Sequence, residues 1–176
     1  MLEREQIINE LKRFQKYVIS QSRANLTRGS KNVSKSLYNS IGGETFVSKS
    51  TQSIGIYFEM EEYGSYQDQG VKGKSSSSKA PNSPYKFGTG TGKKGGLTQG
   101  IEKWVKQKRF QFRDKEGKFL SYESTSWLIT RSIWNKGIKP SYFFTKPFEK
   151  AFERLPDELV NKYALNVEDL IKSNLK

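Results

Sequence analysis

The first part of the chain carries a helical pattern of apolar positions. Four of them recur at spacings of four, three and four, with charged residues between: Ile7, Leu11, Phe14 and Val18. This stripe predicts an amphipathic helix from about residue 3 to residue 24, roughly 30 Å long at 1.5 Å per residue. After a polar break at 28–32, Val33, Leu37 and Ile41 predict a short second helix, which the pair Gly42-Gly43 ends.

The pattern becomes that of β-strands after residue 44. β-branched and aromatic residues dominate 46–48 and 54–59, and a polar reversal at 50–53 separates the two runs. Together they predict a β-hairpin, because such residues favour strands and polar residues favour the reversal. The hairpin is expected to end in the turn region 63–66, where two tyrosines flank Gly64 and Ser65.

Helical spacing returns beyond residue 97. Thr98 is placed to cap a helix in which Trp104 and Val105 face the core, and residues 114–117 form a turn after it. A further helix is predicted from about residue 122 to residue 136.

That further helix places Trp127, Ile133 and Trp134 on one apolar side, and Gly137 closes it. The aromatic run 142–144 opens a new element. Two C-terminal helices follow it, the first with Phe148 facing inward and the last beginning at residues 155–158 and continuing through residue 171. The sum is an α+β fold in a single domain, 1–176, with a small antiparallel β-sheet packed against a long N-terminal helix and several C-terminal helices.

Residues 71–96 break this regular pattern. They contain a Lys/Gly/Ser run at 72–79, two prolines and a glycine-rich run at 88–96. Such a segment buries too little apolar surface to offset its ordering entropy, so we expect a flexible loop that a partner orders. The string Gly90-x-Gly92-x-x-Gly95 satisfies a dinucleotide-binding fingerprint, but no apolar strand precedes it, and a flexible loop is the favoured interpretation.

Composition excludes several kinds of chemistry. The chain has no cysteine and no histidine, which excludes thiolate nucleophiles, disulfides, Cys/His zinc sites and imidazole catalysis. The remaining carboxylates, lysines, tyrosines and serines show no convergent catalytic pair, so we expect a protein that is not an enzyme and needs no cofactor or metal. No apolar run is as long as a membrane span, and the charged start differs from a signal peptide, so no membrane contact is expected.

Charge changes the picture most. The net charge is +13, yet residues 71–113 hold eleven basic residues and one acidic residue, whereas residues 44–70 hold five acidic residues and one basic residue. Six lysines of the loop are candidates for facing DNA or an acidic partner: Lys72, Lys74, Lys79, Lys86, Lys93 and Lys94. The acidic stretch offers a candidate subunit interface: Glu59, Glu61, Glu62, Tyr63, Tyr66 and Asp68. Adjacent segments of opposite charge can pair with copies of the same chain or with a polyanion.

Three short motifs occur in an informative order. Residues 37–41 read Leu-x-x-Ser-Ile, residues 63–70 read Tyr-x-x-Tyr-x-Asp-x-Gly, and residues 133–144 read Ile-x-x-Lys-Gly-Ile-x-Pro-x-x-Phe-Phe. In this order, after a long amphipathic helix, they resemble the head-to-tail connector proteins of tailed bacteriophages, the neck or tail-completion family related to minor tail components. Asp68 stands where that family usually has Glu, and Gln69 replaces an aromatic residue.

The resemblance implies a non-enzymatic virion protein of the neck or tail, made in the host cytoplasm. It implies a ring of copies, sixfold or twelvefold, around the DNA channel between the portal side and the tail. Its expected partners are copies of itself, neighbouring portal, adaptor or tail proteins, and channel DNA through non-specific phosphate contacts. The alternative left open by the residues is a basic nucleic-acid-binding module without sequence preference, in which lysines replace phosphate counterions and interleaved aromatics stack on bases.

Overall fold

The computed structural model describes residues 4–29, 34–47, 54–90 and 96–162, and the chain divides into two compact units. The first unit comprises residues 1–68 and 142–176, and the second comprises residues 69–141. The hydrophobic pattern, which predicts a single domain, carries no signal of this division. The reason is that the second unit is inserted between two segments of the first, so no linker composition marks its ends.

The long N-terminal helix of the first unit is confirmed. Helix α1 spans Arg4–Arg28, about one turn further than expected, because the apolar stripe continues to the buried Leu26. Helix α2, Ser36–Ser40, buries Leu37, and Ile41 follows it in the core.

The predicted hairpin is also confirmed. Strands β1, Gly42–Val47, and β2, Ile54–Glu59, pair antiparallel from Gly42↔Glu59 to Val47↔Ile54. The predicted reversal at 50–53 lies outside the described residues. The pair Gly42-Gly43 begins the strand instead of ending a helix, because β2 approaches closely there: a Cβ on Gly43 would lie 2.5 Å from the carbonyl oxygen of Tyr57.

Residues 63–69 form a helix, α3 (Tyr63–Gln69), where a turn was predicted. Gly64 makes the helix possible, since it is buried where a Cβ would lie 2.6 Å from Met60 Sδ and 2.9 Å from Leu37 Cδ1. The absent side chain therefore lets α3 pack closely on its neighbours.

The core of the first unit is aromatic. Helices α6, Thr145–Phe152, and α7, Asp157–Lys162, close it, and four phenylalanines meet with ring centroids 5.2 to 6.1 Å apart: Phe14, Phe58, Phe144 and Phe148. On α1, Gln15 holds the sheet by accepting a 2.9 Å hydrogen bond from Thr45 Oγ1. The fold is thus α+β and mostly helical, as predicted. The predicted continuation of the last helix lies outside the described residues.

The described residues of the second unit, 69–90 and 96–141, form two helices and a minimal sheet. Strands β3, Val71–Lys72, and β4, Gly137–Ile138, pair antiparallel, and helix α4, Gly96–Lys108, packs on helix α5, Tyr122–Lys136. The bounds of α5 match the prediction, because Ser121 caps its first turn by accepting a 3.0 Å hydrogen bond from Ser124 N and Gly137 ends it at a φ of 82°. Thr98 lies inside α4 and is not its cap, contrary to the prediction.

Residues 71–90, part of the segment that was expected to form a flexible loop ordered by a partner, carry defined backbone hydrogen bonds. Lys72 N donates to Tyr85 O at 2.8 Å, and Lys74 N donates to Trp134 O at 2.8 Å. Val71 and Ala80 are the apolar residues buried within this segment. Hydrogen bonding to the end of α5 therefore replaces apolar burial as the source of its local structure. Its flexibility in solution stays a prediction, and residues 91–95 lie outside the described residues.

Candidate functional site

The two units differ sharply in charge. Residues 69–141 contain 16 Lys and Arg against 4 Asp and Glu, a net charge of +12, whereas the remaining residues contain 15 against 14, a net charge of +1. Almost all of the protein's net positive charge therefore belongs to the second unit. Its surface is suited to a polyanion or to an acidic protein face.

Most of the predicted acidic interface lies at the surface of the first unit. Glu59 ends β2, Glu61 and Glu62 precede α3, and all three are exposed, as are the tyrosines Tyr63 and Tyr66. Partial burial, followed by the nearby Glu61 carboxylate, raises the pKa of Tyr63. All five side chains therefore lie at the surface of the first unit.

Asp68, predicted for the same interface, is instead fully buried. Its Oδ1 accepts hydrogen bonds from Phe144 N at 2.8 Å and Thr145 N at 3.3 Å, and its Oδ2 accepts from Thr145 Oγ1. Phe144 occupies the N-cap position of α6 and offers no polar side chain, so Asp68 supplies the missing acceptor for the first N–H groups of the helix. Its role is to hold the fold.

Asp68 also explains how two of the sequence motifs meet. In the first unit, the 63–70 motif bonds the 133–144 motif through Asp68 Oδ1 and Phe144 N, and Tyr142 N donates to Asp68 O at 2.9 Å. In the second unit, Val71 pairs with Ile138, and a Cβ on Gly70 would lie 2.5 Å from Ile138 O. Motifs more than 60 residues apart in sequence are thus direct neighbours.

The loop lysines are divided by the structure. Lys74, Lys79 and Lys86 are exposed and Lys72 is half-buried, while Lys93 and Lys94 lie outside the described residues. A parallel β-bridge places Lys72 beside Lys86. The two lysine side chains therefore leave the backbone at neighbouring positions.

A second group, which we call the basic-aromatic surface, consists of exposed aromatic residues and the exposed basic residues near them in sequence: Lys103, Trp104, Lys108, Arg109, Phe110 and Phe112. The Trp104 and Phe110 rings are 6.1 Å apart, and the Phe110 and Phe112 rings are 5.2 Å apart. All six residues are exposed, the three rings at 38–40%. Trp104 was predicted to face the core, but α4 buries Val105 and leaves Trp104 at the surface.

Helix α5 also exposes large apolar side chains. Its buried residues are Thr125 and Ser126, while Trp127 is 54% exposed and Trp134 is also exposed. Helical spacing groups residues on one face, but it does not show whether that face meets this chain or a partner.

The outer face of the hairpin forms a surface of which the sequence interpretation named only Glu59, and which we call the acidic-aromatic face: Glu44, Phe46, Tyr57 and Glu59. Cross-strand pairing aligns these side chains, the Phe46 and Tyr57 rings lie 6.2 Å apart, and Tyr57 Oη donates to Glu44 Oε2 at 3.0 Å. That hydrogen bond to the carboxylate raises the pKa of Tyr57. Strand alternation was the signal that could have identified this face.

The first unit also has a shallow groove of about 770 Å³ along α1, lined by Lys12, Lys16, Arg23 and Arg28 among others. Arg23 is already engaged, because it donates to Tyr38 O and Ile41 O. The lining offers no carboxylate to act with these cations as an acid–base pair. Among the described residues, no group of three or more His, Cys, Asp or Glu side chains is placed to hold a metal ion, and no helix is both long and apolar enough to cross a membrane.

Comparison with known proteins identifies no relative. No protein-family model matches the chain, and neither a curated protein nor a solved structure matches it. Function is therefore inferred from the two charged surfaces and from the spatial arrangement of the motifs.

Proposed function

We propose that the chain is a structural subunit of the head-to-tail connector of a tailed bacteriophage, in the neck or tail-completion region. Copies form a closed ring, sixfold or twelvefold, around the DNA channel between the portal side and the tail. The observation that carries the proposal is the meeting of the 63–70 and 133–144 motifs through Asp68 and Phe144. Motifs that resemble one family in sequence and form one connected element support a shared fold more strongly than their order alone.

The charge distribution supports assembly by head-to-tail contacts. A ring subunit presents two different, complementary surfaces to its two neighbours. The first unit carries an exposed acidic edge and the second unit a net charge of +12, so opposite surfaces exist on one chain. Electrostatic complementarity of this kind fixes orientation and suppresses wrong pairings.

The proposal is tested by removing the gene and by locating the protein. Without the chain, infected cells should accumulate filled heads and separate tails, and a labelled chain should lie at the head–tail junction of complete particles. Complete, infectious particles assembled without it would contradict the proposal.

A second candidate function is a basic nucleic-acid-binding module. The observation that favours it is the exposed aromatic trio Trp104, Phe110 and Phe112 among lysines and arginines, since exposed rings in a basic groove stack on bases. The two functions differ in what the loop lysines contact.

The six lysines at 72, 74, 79, 86, 93 and 94 separate these functions. We expect that changing all six to Gln leaves duplex affinity nearly unchanged and impairs assembly, because the lysines hold an acidic protein surface. If they contact phosphates instead, the salt slope of DNA affinity falls by several units, at about 0.9 per phosphate neutralised. The slope is measured by fluorescence anisotropy across a salt series.

The matched control removes six exposed cations from the first unit: Lys12, Lys16, Arg28, Lys35, Lys146 and Lys150. It changes net charge equally and leaves the loop intact. The nucleic-acid function would be established instead by tight duplex binding at physiological salt with two properties. The loop variant must lose this binding while the control variant keeps it, and the loop variant must still assemble.

A further inference from the structure

We propose that neighbouring copies join by seating the acidic-aromatic face of one copy on the basic-aromatic surface of the next. The first surface is Glu44, Phe46, Tyr57 and Glu59, and the second is Trp104, Phe110 and Phe112 with the cations around them. This inference rests on the proposed ring and names the two surfaces that would close it.

The acidic-aromatic face is built for contact. The opposite face of the same hairpin packs on α1 and the phenylalanine core through Phe58, so the outer face is free of α1. Phe46 remains 43% exposed, and its ring lies over Gly55, where a Cβ would be 2.5 Å from Phe46 Cζ. Glycine at 55 therefore leaves room for the Phe46 ring, and the register places Glu44 opposite Tyr57 and Glu59 opposite Gly42 on the same outer face.

The basic-aromatic surface exposes aromatic rings in a unit that buries few apolar side chains, which is unusual for a surface without a partner. In the described part of the second unit, the buried apolar side chains are Val71, Ala80 and Val105. Three rings remain exposed instead, with Phe110 lying between Trp104 and Phe112 in two ring contacts. Small units bury a low fraction of their surface, and contiguous exposed apolar patches mark interaction sites.

The two surfaces are complementary in the way that stable interfaces are. Each combines exposed aromatic rings with exposed charged side chains, and the charges are opposite: Glu44 and Glu59 on one, Lys103, Lys108 and Arg109 on the other. Buried aromatic anchors surrounded by a polar rim carry most interface affinity. Because each copy has one surface of each kind, the contact is heterologous, and repeating it produces a ring or an open chain.

Site-specific cross-linking tests the contact, and the natural chain contains no cysteine that could give background reaction. One variant carries Glu59→Cys, a second carries Lys108→Cys, and a third carries both. A short flexible bis-maleimide is added to the soluble chain at high concentration and to assembled particles carrying the same variants.

The double variant should give a ladder of cross-linked oligomers, whereas a mixture of the two single variants should stop at heterodimers and each single variant alone should stay monomeric. The control replaces Glu59→Cys by Ser20→Cys, an exposed position on α1, and should give little product with Lys108→Cys. Phe46→Ser should reduce the cross-linking yield at least about tenfold, because it removes an aromatic anchor of the contact. Gly55→Ala should also reduce the yield, because the added Cβ displaces the Phe46 ring.

Absence of the 59–108 product both in solution and in particles would overturn the inference, and so would equal yield with Ser20→Cys. If the particles still contain a ring, the proposed function stands and another surface closes it. If the particles hold a single copy, the proposed function itself is wrong. Protection of Lys108→Cys by duplex or single-stranded DNA, without any protein cross-link, would assign the basic-aromatic surface to nucleic acid.

Discussion

Replacing Asp68 with alanine should lower the free energy of unfolding by about 3–4 kcal/mol. The carboxylate accepts from Phe144 N, Thr145 N and Thr145 Oγ1 in a buried site. Removing it leaves the first N–H groups of α6 and the Thr145 hydroxyl without a hydrogen-bond acceptor, in a buried site where water does not replace it. Asp68→Asn retains one oxygen acceptor but loses the charge, so it should lower the free energy of unfolding by about half as much as Asp68→Ala. Urea unfolding followed by circular dichroism measures both.

The matched control is Glu62→Ala, six residues earlier and exposed, which should change stability by no more than about 0.5 kcal/mol. An interface role for Asp68 leads to the opposite expectation, a stable monomer that fails to assemble. Equal stability of the Asp68→Ala and Glu62→Ala variants would therefore contradict the capping role derived from the structure.

Replacing Phe148 with alanine should cost about 3–5 kcal/mol, as for other buried Phe to Ala changes. The Phe148 ring joins α6 to both other parts of the core, lying 5.2 Å from the Phe14 ring and 5.9 Å from the Phe58 ring. Truncation leaves a cavity between helix and sheet that neither element fills without moving. Urea or thermal unfolding gives the size of the loss.

The control is Phe119→Ala in the second unit. Phe119 is 56% exposed, and the Arg113 guanidinium carbon lies 4.0 Å from the centroid of its ring. The expected loss in the free energy of unfolding is therefore about 1 kcal/mol or less, the range of an exposed cation–π contact. A Phe148→Ala variant no less stable than Phe119→Ala would show that the aromatic cluster is not the core of the first unit.

Elements whose ends carry local chemical signals were predictable. α5 was predicted at its observed bounds from its helical spacing and from Gly137, which ends it, and the stripe of α1 was visible in spacing alone. α3 was missed because residues 63–69 have no apolar stripe, and their helix depends on Gly64 packing against Met60 and Leu37.

Features that depend on distant residues were not predictable. The bond between Asp68 and Phe144 spans 76 positions, so sequence proximity assigned Asp68 to the acidic surface of its neighbours. The same limit applies to the 71–90 segment. Its local structure comes from backbone hydrogen bonds to Trp134 and Asn135, and amino-acid composition, which reports only how much apolar surface a segment can bury, does not reveal such bonds.

The candidate site was predicted in part. Glu59, Glu61 and Glu62 were predicted as surface groups and are exposed, because charge alone favours that position. Trp104 was misplaced because helical spacing identifies a face but not its partner. An apolar face that contacts another copy has the same periodicity as one that contacts the chain's own core.

The measurement that tests the central claim most directly is a reconstruction of the assembled head–tail junction, made without imposed symmetry and with this chain identified in it. We expect several identical copies in a closed ring around the DNA channel, sixfold or twelvefold, each contacting its two neighbours through different surfaces. A single asymmetric copy at the junction, or complete junctions that lack the chain, would contradict the account.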